Sequence, residues 1–280
     1  MEKEKDKKPV ISIAYFDILG FKKMVETKKD QEILDLINQL RGYISQKSGS
    51  GGFPTPMPPD GSWRNGCTQF VWAIFPLDIE FDYQSDTFIM WANIGNPNSK
   101  NGKPHPSALH VFLDAVQWFF CKALQNGIPL RGAIATGDAY MDKEKKVYFG
   151  TAFNEAAEAE SAQDSIGIAY ATNKYPPLLT GYTIPYKKHI KEKRENLVTK
   201  RVVNWCNFWD DNKDFSSDDV IEKIRSMRNE NFPKYYDNAI DFVNFSRAHK
   251  QWWLEIDESD IRSNEELDKR TDAWLDSLEQ

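Results

Sequence analysis

Residues 10–16, VISIAYF, are almost continuously apolar, which predicts a central strand covered on both faces. Ile33, Leu36, Ile37, Leu40 and Ile44 then recur at three- and four-residue spacing and share one helix face. Two apolar runs, 70–81 and 87–92, flank Asp82, Tyr83, Gln84, Ser85 and Asp86 and read as a hairpin with an acidic tip. Val111, Phe112, Ala115, Val116, Phe119, Ala123 and Leu124 predict a second helix, from Ser107 to a stop at Asn126-Gly127. Beyond Pro129 come a strand at 130–141 (LRGAIATGDAYM), a charged turn and the short run Val147-Tyr148-Phe149. An alanine-rich helix at 151–162 and a strand at 166–171 follow. The order β-α-ββ-α-β-α-β predicts an α+β fold, a mixed sheet covered by helices.

Two stretches break this rhythm. Residues 47–66, KSGSGGFPTPMPPDGSWRNG, are rich enough in Gly, Pro and Ser to predict a mobile loop. From about residue 181 the pattern changes to a basic run, Lys187 to Arg194, and three helices near 217–229, 235–249 and 265–278. Five of the nine tryptophans lie in that last part, so it must pack against something. We therefore expect a catalytic domain over 1–180, then the end of its sheet and an appended C-terminal helical region over 181–280.

Charge and cysteine usage narrow the function classes. A net charge of -6 offers no broad positive field for nucleic-acid backbone, so no nucleic-acid partner is expected. Cys67, Cys121 and Cys206 are scattered and lack the CxxC spacing of zinc or redox sites, which suits reduced thiols in the cytoplasm. No apolar stretch has signal-peptide or membrane-spanning length, so no membrane association is expected. The four histidines show no metal-ligand spacing, and the Gly95 to Gly102 interval is too long for a phosphate loop, with Pro104 at the required Ser/Thr position.

One residue stands against the apolar pattern. Asp17 closes the first strand, where an unpaired buried charge would cost several kcal/mol. If the hairpin pairs beside that strand, Asp86 converges on the same sheet end. Two close carboxylates repel unless a divalent cation such as Mg²⁺ or Mn²⁺ neutralises both. Spacing alone leaves open that each is a cap or a solvated turn residue.

Four motifs in order point further. FDILGF at 16–21, SDTF at 85–88, LRGAIATG at 130–137 and GTAFNEAA at 150–157 resemble the catalytic domain of class III nucleotide cyclases over roughly residues 10–175. Ser85 stands where that family usually has Gly. The resemblance implies a ferredoxin-like mixed sheet, a nucleoside triphosphate substrate and two Mg²⁺ or Mn²⁺ ions per active site. It implies Asp17 and Asp86 as the metal ligands with the Ile18 carbonyl assisting. Asn154 and Arg131 are then catalytic and reach across from the partner chain of a homodimer. Phe21, Tyr83, Asp82, Val147 and Tyr148 are the implied substrate contacts.

The departures are equally specific. Glu158 occupies the position of the family's transition-state Arg, which leaves Arg131, Lys143, Lys145 or Lys146 as replacements. Asp82 and Val147 stand where adenylate cyclases carry their adenine-reading Lys and Asp. In this the chain most resembles the pyrimidine cyclases of bacterial Pycsar antiphage systems. That implies conversion of UTP, ahead of CTP, to a cyclic monophosphate that activates a separate effector. The alternatives are an adenylate or guanylate cyclase, and a catalytically silent nucleotide-binding module.

Overall fold

The computed structural model describes residues 9–45, 77–95, 106–171, 182–210, 216–250, 252 and 264–278. The N-terminal part runs β1 (Val10–Ile18), α1 (Phe21–Thr27), α2 (Asp30–Ser45), β2 (Ile79–Gln84), β3 (Thr87–Asn93) and α3 (Pro106–Gln125). It continues with β4 (Leu130–Asp142), β5 (Val147–Gly150), α4 (Thr151–Ala162) and β6 (Gly167–Ala171). The C-terminal part adds β7 (Thr183–Pro185), β8 (Val198–Val203), α5 (Asn207–Asp210), α6 (Ser217–Met227), α7 (Pro233–Ala248) and α8 (Asn264–Ser277). The mobile loop expected at 47–66 and the start of the run at 70–81 lie outside the described residues.

The architecture is α+β. Strands order as β2-β3-β1-β4-β6-β8-β7, with β5 paired to the far end of β4. β1 is central, antiparallel to both β3 and β4, which explains why its residues are apolar on both faces. β4 and β6 run parallel. A parallel pair needs a crossover, and α4 supplies it.

The pairing of β1 with β4 is unusually close at Gly132, which sits opposite Phe16. A Cβ there would meet the Phe16 ring at 2.2 Å, so only glycine lets the large ring lie across β4.

Each face of the sheet has its own core. On one face α2, α3, α6 and α7 enclose Phe16, Phe88, Phe112, Phe119, Val220 and Phe242. On the other, Ala152, Ala156, Ala159 and Ala162 of α4 rest on Ala133, Ala135, Ala169 and Ala171 of the sheet. A contact made of methyl groups brings the helix backbone close to the strands.

Two features depart from the sequence reading. The hairpin turns at Ser85-Asp86, so Asp82, Tyr83 and Gln84 belong to β2; Ser85 takes a φ of 60°, which glycine would adopt without strain. A short α1 precedes the expected helix. The C-terminal helices close the main core. Trp205, Trp209, Trp252 and Trp274 are all buried, with Trp205 packed between Phe120 of α3 and Phe242 of α7 at 5.1 and 5.5 Å. Trp252 Nε1 donates to the Thr183 carbonyl at 3.1 Å. No described helix is long and apolar enough to cross a membrane.

Candidate functional site

Side chains alternate along β1, so Asp17 shares the α4 face with Ile11, Ile13 and Tyr15 and lies just where that face runs out of strand. The β2–β3 turn meets it: Ile18 N–H donates to the Asp86 carbonyl at 3.0 Å. The two predicted metal carboxylates thus come to one end of the sheet. Burial pushes the Asp17 carboxyl above its ordinary range; the Arg131 guanidinium pulls it down and the Asp86 carboxylate pushes it further up. Paired carboxylates at a strand end are a hard-oxygen donor set that suits Mg²⁺ or Mn²⁺. Among the described residues no group of three or more His, Cys, Asp or Glu could hold a metal ion. A cation here would draw its remaining ligands from backbone carbonyl, phosphate and water.

Arg131 lies at the same sheet end. It faces Asp17 directly across the β1–β4 ladder, with Nη2 3.5 Å from Oδ2. Nε pairs with Glu160 of α4, and Nη1 donates to the Tyr235 hydroxyl at 3.2 Å while the guanidinium lies 5.5 Å over that ring. Arg131 therefore stands beside Asp17 of its own chain. Glu160 is itself pushed up by burial and pulled back by Arg131.

Asn154 projects from α4. Gly150, with a φ of 134°, makes the sharp β5-to-α4 junction; a Cβ there would meet the Ala139 Cα and the Asp138 carbonyl at 2.6 Å. Asn154 and Glu158 are one turn apart on the exposed face. The next position on that row, Ser161, is capped by the basic run: Arg194 Nη1 donates to Ser161 Oγ at 2.7 Å and Lys191 Nζ to the Ser161 carbonyl at 2.6 Å. Lys191 is shifted down, by burial first and then by the like charge of Arg131. Neither Lys191 nor Arg194 forms an ion pair with a carboxylate among the described residues.

The replacements expected for the missing arginine lie elsewhere, on the β4–β5 turn. Lys143 sits 4.7 Å over the Phe81 ring, Lys145 pairs with Asp142 at 2.7 Å and Lys146 with Asp82 at 2.5 Å. Nothing in the basic run's own pattern shows that it folds onto α4. Glu160 and Tyr235 gave no signal, being 29 and 104 residues from Arg131.

The predicted base-contacting residues divide between the two faces. Asp82 is buried on the α4 face, where Lys146 Nζ and the Tyr148 hydroxyl both donate to it. Burial pushes its carboxyl up; the hydrogen bonds from Lys146, Tyr148 and the Tyr83 backbone, with the Lys146 charge, together bring it below its ordinary value. Tyr83, next along β2, points to the opposite face, stacked on Phe88 at 5.8 Å beneath Arg41. Tyr83 and Tyr148 therefore do not wall one pocket. Val147 is exposed, and Phe21 packs half-buried against the main core.

No family model and no curated protein matches the sequence. The chain is similar in structure to several solved proteins at low identity. The adenylyl cyclase CyaB from P. aeruginosa is 15% identical, with 65% of this chain and 86% of that one covered at a TM-score of 0.40. A bacterial light-regulated adenylyl cyclase is 11% identical, covering 79% and 99% at 0.43. The dimeric guanylyl cyclase domain of the RhoGC fusion protein from the aquatic fungus Blastocladiella emersonii is 11% identical, covering 65% and 89% at 0.43.

Proposed function

We propose that the chain is a divalent-metal-dependent nucleotide cyclase that forms a cyclic pyrimidine monophosphate, UTP being favoured over CTP. The observation that carries this reading is the meeting of Asp17 and Asp86 at one sheet end, with the motif that contains Asn154 on the helix covering the same face. Bound Mg²⁺ or Mn²⁺ would acidify the ribose 3′-hydroxyl and neutralise the phosphates.

The chain's own residues do the rest. Asp17 and Asp86 hold the cations, with the Ile18 carbonyl beside them. Arg131 fixes the direction of the Asp17 carboxylate and ties it to α4 through Glu160. Asn154 orients the ribose. With Glu158 in place of an arginine, Arg194 and Lys191 offer positive charge one turn further along that row, where developing charge on a transferring phosphoryl group needs it. Asp82, clamped by Lys146 and Tyr148, replaces the lysine that an adenylate cyclase turns to its base, and the Tyr148 ring supplies bulk for a smaller ring.

Asn154 faces outward, and Tyr140, Val147 and Phe149 on the β4–β5 hairpin are 47%, 40% and 57% exposed. Both features support a homodimer in which Asn154 serves the partner's Asp17. The resemblance to Pycsar cyclases extends the proposal to a product that activates a separate effector during phage infection. Incubating purified protein with each of the four ribonucleoside triphosphates and Mn²⁺, with chromatography of the products, tests the reading. Cyclic UMP or cyclic CMP is expected; faster conversion of ATP or GTP would overturn the pyrimidine assignment, and no cyclic product at all would overturn the cyclase.

A further inference from the structure

Where the end of β1 meets the α6–α7 turn, a cavity of about 200 Å³ opens beside the Asp17–Arg131 pair. That is far above the ~10–15 Å³ that admits one water. Its walls include Gly20 and Arg131 from the sheet end and Asn229, Phe232, Tyr235 and Tyr236 from the turn and the first residues of α7. These C-terminal residues fall outside the segment that resembles the cyclases, so the cavity belongs to this chain's own extension.

The chemistry of the walls selects a ligand. Arg131 is already neutralised by Asp17 and Glu160, so the cavity offers no net charge for a phosphate. It offers rings. Phe232 is 56% exposed and touches Tyr235 only edge-on, at 6.5 Å, which leaves a ring face bare at the mouth. Asn229 Oδ1 accepts from the Asn231 amide at 3.0 Å, which fixes the side chain and leaves Nδ2 as the donor, over Gly20 at the floor. A bare aromatic face with a fixed amide donor suits a flat heteroaromatic ring that bears a carbonyl.

We propose that this cavity is a nucleobase subsite, with the base stacked on Phe232 and a ring carbonyl accepting from Asn229 Nδ2. The choice of a nucleobase among flat rings rests on the nucleotide reading above. Two sources share the chemistry: a free nucleoside acting as an effector, and the base of the substrate. An effector is favoured, because the substrate's base is assigned to the Asp82–Tyr148 edge. Either occupant sits against Arg131, and so reports its presence to Asp17.

The test is calorimetric titration of the full chain with uridine, cytidine, adenosine and guanosine, probes that carry no phosphate. Saturable binding is expected, weakened roughly tenfold in Phe232→Ala, the range of one lost base–aromatic stack, and also weakened in Asn229→Ala. Asp86→Ala should abolish turnover and keep nucleoside binding, so failure of the cyclase reading and failure of the subsite are separate results. Phe232 is exposed, and its truncation leaves the core untouched. If KM for the triphosphate is unchanged in Phe232→Ala and the wild-type rate responds to added nucleoside, the occupant is an effector. If KM rises with the same factor, the occupant is the substrate's base. Absence of saturable binding by all four nucleosides at millimolar concentration, or binding indifferent to both substitutions, overturns the subsite.

Discussion

Asp17 holds a carboxylate that burial makes costly to ionise and that its neighbours only partly compensate. Its folded-state pKa lies above the unfolded value, so below about pH 3.8 there is no penalty, and stability falls as pH rises through the folded pKa. Asp17→Asn should accordingly leave the melting temperature of the metal-free protein unchanged or higher, while turnover falls by about 100-fold or more. Wild type should gain thermal stability with added Mn²⁺ and the variant should not, because only a ligand that binds the native state stabilises it. Protons compete with the cation for Asp17, so wild-type Mn²⁺ affinity should weaken with falling pH while still above the range of an ordinary carboxylate. A variant that keeps the Mn²⁺ response, read by differential scanning calorimetry, would remove Asp17 from the metal site. This residue was legible from sequence because a charge in an apolar run needs a reason. Its pairing with Arg131 was not legible, since only the β1–β4 register places the two opposite each other.

Among the elements, α4 was read to the residue at 151–162 because its alanine row and the preceding glycine are local signals. The β2–β3 turn was read too early because β2 alternates polar and apolar residues with its polar side partly solvated, which blurs the strand's end. β7 and β8 were expected only as the end of the sheet somewhere after residue 181, because they are short and flank a basic run. The junction that aims α4 is the most sensitive point. Gly150→Ala adds left-handed strain to a clash with the β4 backbone, and should cost about 2–4 kcal/mol. Chemical denaturation would show this as a lower midpoint, and turnover measured well below that midpoint should still fall, because Asn154 lies one turn past the junction. A midpoint within 0.5 kcal/mol of wild type would mean that the junction relaxes freely.

For the molecule as a whole, the proposed site makes a claim about assembly. In that proposal Asp17 with Arg131 and Glu160 would make one half, and the outward row of Asn154 and Glu158 the other. Mixing inactive Asp17→Ala with inactive Asn154→Ala protein under conditions of subunit exchange should restore roughly a quarter of wild-type activity, since half the dimers are mixed and each carries one intact site. Background activity after proven exchange would rule out the shared site. The tail's role could not be read from its sequence: tryptophan content says that it packs, not where. The structure puts Trp205, Trp209, Trp252 and Trp274 along the seam between the sheet and the C-terminal helices. The protein consequently carries an optical gauge of that seam. Buried indoles emit to the blue, so intrinsic fluorescence follows undocking of the extension while far-ultraviolet dichroism follows the backbone. Coincident thermal transitions in the two signals would show that extension and sheet melt as one unit, and an earlier red shift would show that the extension can lift off a sheet that stays folded.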